Sequence, residues 1–102
     1  MHKLDKLASK IVLSKSKRCV VCGMSADEVH HIFSRKNRSV RWYIPNLVPV
    51  CRNCHTLLHT TWRTYFEKFD WYSDLKRLAN TVDKNADDYW EKYLKGELNL
   101  SL

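Results

Sequence analysis

Two C-x-x-C pairs, Cys19/Cys22 and Cys51/Cys54, constrain this chain more than any other feature. In a chain of 102 residues a hydrophobic core alone stabilises a fold only marginally, and small domains often add a metal or disulfides. Each pair can bite an ion from one tight turn, and tetrahedral zinc needs four such ligands. The alternatives are two disulfides or free buried thiols. The lysine-rich opening, Met1 to Arg18, has no apolar core of signal-peptide length. No stretch approaches the length of a membrane span. The expected compartment is a reducing cytoplasm, where paired C-x-x-C motifs are more often metal ligands than disulfides. The four cysteines therefore read as a closed structural zinc site, which leaves no position for water. It would clamp the start of the strand region to the start of the helix after it.

The hydrophobic pattern gives the order of parts. Leu4, Leu7, Ala8, Ile11 and Val12 fall at helical spacing and predict a helix over residues 3–14. Gly23, just after Cys22, suits the tight turn of a zinc knuckle. Val29 to Phe33 reads as a strand, Ser34 to Asn46 as a basic loop, and Leu47 to Val50 as a second strand. Pro49 cannot donate to a ladder, so that strand is expected at an edge. A long helix is predicted from about Arg52 to Phe69, with Leu58, Trp62, Tyr65 and Phe69 recurring at helical spacing. Two further helices are predicted, over about 71–82 and 86–95, with Asn85 as N-cap and Gly96 as stop. The expected class is a small α+β fold in a single domain, 1–102. Its core would occupy about 19–69, with a helical extension over 70–102.

The histidines carry the chemistry. His30 and His31 are adjacent on a predicted strand, so their side chains point to opposite faces. They cannot easily hold the same ion, and a division of labour is expected. His55 and His59 share one helix face a turn apart, a spacing that suits two imidazoles on one metal. A third ligand from the strand would make an open site, with solvent in the remaining position. The bland readings are surface or core histidines (His2 is one) and a mixed Cys/His finger. Four cysteines already complete one ion without a histidine.

The stretches His30-His31-Ile32, Asn46-Leu47 and Cys54-His55-Thr56-Leu57-Leu58-His59 resemble the HNH, or ββα-metal, nuclease motif. The offsets from Asn46 to His55 and His59 are similar to the histidine-rich version in bacteriocin DNases. The flanking C-x-x-C pairs are similar to the zinc-stapled version in phage and bacterial genes. The resemblance covers about residues 19–60. It implies a ββα-metal, treble-clef-like core, flanked by N- and C-terminal helices. His31 would be the general base, and His30, His55 and His59 would hold a divalent ion. Asn46 would tie down the loop that orients His31. Many members have Asp where His30 stands, so the working ion is left among Mn²⁺, Mg²⁺, Ni²⁺ and Zn²⁺. The resemblance implies hydrolysis of DNA with little sequence specificity, in the cytoplasm of a bacterial or phage-infected cell.

Charge agrees with a polyphosphate partner. The formal charge is +7, and only Asp5, Asp27, Glu28 and Glu67 among the acidic residues precede residue 70. Arg41 and Arg35 are the candidates for an unpaired cation beside the scissile phosphate, with solvation as the plain alternative. Trp62, Trp71 and Trp90 continue apolar stripes and read as core; Trp42 and Tyr43, in the basic loop, stay open. The C-terminal helices could pack on the core, mediate a dimer or bind a larger phage or host protein. Two competing readings have no catalysis: a zinc-stabilised nucleic-acid-binding module and a protein-interaction adaptor.

Overall fold

A computed structural model describes residues 3–37, 39–80 and 90–96. The first helix, α1 (Lys3–Lys15), forms where the apolar stripe predicts it. Leu4, Ala8, Ile11 and Val12 are all buried on one face. They meet Trp42 and Leu47, together with Trp90 and Leu94 from a short helix, α4, over residues 90–96. Full burial of each large apolar side chain contributes about 1.5–3 kcal/mol, so this cluster fastens both ends of the described chain to the middle. The C-terminal helix therefore packs on the core, and Lys3 Nζ pairs with Glu91 Oε1 at 3.3 Å beside it.

Two short strands, β1 (Glu28–His31) and β2 (Leu47–Val50), pair antiparallel with His30 opposite Val48 and His31 opposite Leu47. β2 falls on its predicted residues. β1 is shorter than Val29 to Phe33 at its far end, because Asn46 closes the ladder there: Ile32 N–H donates to the Asn46 carbonyl at 2.9 Å. Pro49 breaks no rung. Its carbonyl accepts from Val20 N–H at 2.9 Å. In an antiparallel strand a residue's N–H and C=O point to the same side, so the missing donor faces away from β1. α1 packs against the hairpin, and helix α2 (Arg52–His59) packs against β1.

The long helix predicted to Phe69 is not formed. α2 stops at His59, and Thr60 takes φ −127° and ψ −93°. Both Thr60 N–H and Trp62 N–H donate to the Leu57 carbonyl, at 3.1 and 2.7 Å. A continuous helix would carry Phe66 about 10 Å along the axis beyond His59. The bend instead returns it to the hairpin, where its ring lies 5.9 Å from that of His30. A 3-10 turn over Tyr65–Lys68 follows, and then helix α3 (Tyr72–Ala79). Leu75 and Ala79 of α3 pack on Val40. This α3 is shorter than the predicted 71–82, and Val82 and the Asn85 cap lie outside the described residues.

The tryptophans divide differently from expectation. Trp90 is core, and so is Trp42, at 0% exposure. Trp62 and Trp71 are not: they keep 38% and 42% of their surface exposed, because the bend turns their segment outward. Among the described residues the fold is thus a small α+β arrangement of four α-helices and one two-stranded sheet. No described helix is long and apolar enough to cross a membrane.

Candidate functional site

Cys19, Cys22, Cys51 and Cys54 come together with their sulfurs within 4.8 Å of one another. None is disulfide-bonded. The first pair sits on a knuckle closed by Gly23 N–H to the Cys19 carbonyl at 2.9 Å and by Cys19 N–H to the Met24 carbonyl at 2.7 Å. Gly23 holds φ +78° there, which a side chain would resist. The second pair opens α2, where Cys51 is the N-cap and its sulfur accepts from Cys54 N–H.

Cys22 and Cys51 sulfurs are 3.7 Å apart. A tetrahedron with zinc–sulfur bonds of about 2.3 Å has an edge of about 3.8 Å, so the spacing suits zinc. Burial opposes ionisation of Cys19, yet backbone N–H groups of Cys22, Cys51 and Val21 outweigh it and draw the thiol down to about 6. Burial and the neighbouring sulfurs push Cys54 far up. Only a cation among the sulfurs would hold all four as thiolates. The cluster is compatible with structural zinc.

The second cluster is built by one face of the hairpin and by α2. Strand alternation turns Glu28 and His30 toward α2, and Val29 and His31 toward α1. His30, His55 and His59 each offer a ring nitrogen within 4.8 Å of the others. His30 is buried, and its Nδ1 has no hydrogen-bond partner. Burial, reinforced by His55, His59 and His31, pushes His30 down to about 4. A buried, neutral imidazole with an unpartnered nitrogen beside two others is a donor set that fits a metal ion. Glu28 was missed in the sequence. Its Oε1 lies 2.8 Å from His55 Nδ1, and its Oε2 accepts from Arg52 Nε at 3.1 Å. A carboxylate on Nδ1 leaves Nε2 of His55 free to ligate. The available signal was position: Glu28 is two before His30, on the same face of the strand.

His31 stands apart from the triad. Its Nε2 lies 3.1 Å from the Arg41 carbonyl. A carbonyl can only accept, so the proton is on Nε2 and Nδ1 keeps the lone pair. Burial pushes His31 down to about 4, with Arg35 and Arg41 adding to this against Asp5 and the Arg41 carbonyl. Asn46 is wholly buried. Its Oδ1 accepts from Phe33 N–H at 2.8 Å, and its Nδ2 donates to the Phe33 and Val40 carbonyls at 3.1 Å each. It ties both ends of the loop that contains Arg41.

The expectation of Arg41 as an unpaired cation is corrected. Its Nε and Nη2 donate to the two carboxylate oxygens of Asp5 at 3.1 and 2.6 Å. Trp42 Nε1 donates to the same Asp5 at 2.9 Å. Asp5 lies in the buried face of α1, and a lone acid in that basic helix was the signal for it. Arg35 is exposed and has no ion pair among the described residues. It lines a cleft of about 730 Å³ with Lys6, Lys10, His31, His55 and His59. A second cleft, of about 240 Å³, opens on the other side; His30, His31, His59, Trp62, Arg63 and Phe66 are among its walls.

Fold and clusters together define a class: a small α+β protein with a four-cysteine cluster compatible with structural zinc and a three-histidine cluster between two clefts. The chain belongs to the family described as "Protein of unknown function (DUF968)", whose family model matches residues 6–87. The match takes in most of α1, both clusters and α3. No curated protein and no solved structure matches the chain.

Proposed function

We propose that this chain is a metal-dependent endonuclease of the HNH kind, hydrolysing DNA phosphodiester bonds. The observation that carries the reading is His31 set beside, but not within, the triad of His30, His55 and His59. The triad would hold the ion, which when bound supplies charge stabilisation to the phosphate and the leaving oxygen. His31 Nδ1 takes a proton from the attacking water, while its Nε2–H stays on the Arg41 carbonyl. That contact keeps the ring in one tautomer and one orientation. Asn46 acts through the loop and touches no substrate. Arg35 and Arg63, one on each cleft, are the cations that face the phosphates, in place of Arg41. The choice of DNA rests on the resemblance to HNH nucleases.

The test is nicking or cutting of plasmid by the purified chain with Mn²⁺ or Mg²⁺, against His31→Ala. The variant should keep its circular dichroism spectrum and lose activity about 10²–10⁴-fold, the usual contribution of a positioned general base. Equal cutting by the variant would remove His31 from the role. No cutting by the wild type with any of the four ions would leave the non-catalytic zinc-stabilised nucleic-acid-binding module as the better reading.

A further inference from the structure

The segment between α2 and α3 is unusual in what it leaves exposed. Of the large hydrophobic side chains that remain exposed, Trp62, Phe69, Trp71 and Leu78 all fall between residues 62 and 78. The rings form a continuous series. Trp62 is 6.4 Å from Tyr65, and Tyr65 is 6.0 Å from Phe69. Phe69 stacks on Trp71 at 5.3 Å with 8° between the planes. The series begins at the histidines, since Trp62 and Arg63 wall the cleft that His30, His31 and His59 also line. Charges of both signs accompany the rings, with Asp70 exposed between Phe69 and Trp71. Arg63 is exposed and has no ion pair among the described residues, and Lys68 Nζ sits 4.1 Å over the Tyr65 ring. Among the described residues, Glu67 is the acid in the wall of that cleft.

We propose that this surface binds an unpaired stretch of nucleic acid, with one base stacked on Trp62 beside the histidine cluster. The inference deepens the nuclease reading and rests on it: it names the substrate as single-stranded or locally unpaired. An exposed ring with an exposed arginine beside it, in the wall of the histidine cleft, offers one unpaired nucleotide a face for its base and a charge for its phosphate. In a duplex the bases cover one another's faces, and only an unstacked base can meet a protein ring. A purely apolar protein partner would have no use for Arg63 and Lys68 beside the rings. The cleft at Trp62 has a volume of about 240 Å³, on the scale of a single nucleotide.

The experiment measures fluorescence anisotropy of a labelled single-stranded 12-mer and of its duplex. It uses the full chain without added divalent ion, and the strand is checked for integrity afterwards. The single strand is expected to bind at least about tenfold more tightly than the duplex, the scale of one or more stacked bases. Trp62→Ala should lose about tenfold of that affinity, and Trp62→Phe should recover most of it. Trp62 is exposed, so neither change should alter the fold; the far-ultraviolet spectrum checks this. Equal affinity for the two forms, or no change in Trp62→Ala, overturns the proposal. So would a wild-type dimer, detected by sedimentation, that Trp71→Ala dissolves while strand binding is unaffected. Single-strand preference with no cutting under any ion would sink the nuclease reading and leave the stacking surface standing. Cutting with equal affinity for both forms would do the reverse.

Discussion

The four-cysteine and three-histidine clusters share one helix but differ in how they meet solvent. The first turn of α2 supplies Cys51 and Cys54, and the next turns supply His55 and His59. Around the cysteines, backbone N–H groups point at the sulfurs, and two of the four thiols are buried. Around the histidines, one ligand is buried, one half-buried and one exposed, and two clefts reach the site. A closed ligand set can hold the chain together but admits no reactant. An open one can admit a phosphate but contributes less to holding the chain. The same helix therefore gives one cluster a scaffold role and leaves the other accessible.

The sharpest way to break this division is to empty the cysteine cluster. Zinc bound by four thiolates contributes about 10–16 kcal/mol of apparent binding free energy. That matches or exceeds the whole stability of an ordinary domain, about 5–15 kcal/mol. Cys54→Ala, or stripping zinc with a strong chelator, should therefore abolish the cooperative thermal transition seen by circular dichroism. Metal analysis of the intact protein should find one tightly held zinc per chain. A well-folded chain without zinc would end the scaffold assignment.

His31→Ala should do the opposite and leave the fold nearly intact. The expected loss in plasmid cutting is about 10²–10⁴-fold, with a midpoint within a few degrees of wild type. Unfolding on this change would blur the division, since His31 would then be holding structure.

Much of this was legible in the sequence, and the reason is distance along the chain. The C-x-x-C pairs and the His55/His59 pair are local, so each half of a cluster could be read from a turn or a helix, and the need to complete a ligand set pointed to the distant half. Leu47 to Val50 and the stripe of α1 were legible for the same reason. The bend after His59 was not. Trp62 and Phe69 continue a helical stripe perfectly well; what stops the helix is Phe66 returning to His30, a contact 36 residues away in sequence. Trp42 and Arg41 were unreadable in the same way, because their partner, Asp5, lies far earlier in the chain. Glu28 was missed because its role depends on a helix facing the strand.

Asp5 gives the next largest effect. It is buried, and Asp5→Ala would remove the carboxylate to which Arg41 Nε and Nη2 and Trp42 Nε1 donate, at a cost of about 3 kcal/mol. The same change would free the loop whose Arg41 carbonyl holds His31, so cutting should fall along with stability. A pH signature separates the ion pair from simple packing. Burial pushes Asp5 up, but hydrogen bonds from Arg41 and Trp42 outweigh it and hold its carboxyl below the ordinary value. A depressed folded pKa contributes stability above the unfolded value, near 3.8, and loses it as pH falls through the folded one. Acid melts of the wild type should therefore drop more steeply below about pH 4 than those of Asp5→Asn. Parallel curves would remove the ion pair from the account.

The smallest effect sharpens the comparison most, because it touches only the open cluster. Glu28 orients His55 from outside the triad and is itself half-buried. Loss of such an outer carboxylate usually lowers metal affinity about 10–100-fold. Glu28→Gln should therefore weaken binding of Mn²⁺ or Zn²⁺ to the histidines, read by calorimetry on chain that retains its cysteine zinc. The melting midpoint should scarcely move, and the zinc already bound should stay. His59→Ala should lower the same affinity further, again without unfolding, because His59 is exposed. If Glu28→Gln instead lowered the midpoint and left metal affinity unchanged, the Glu28 contact would be a strand-to-helix clamp. The histidine cluster would then belong to the scaffold along with the cysteines.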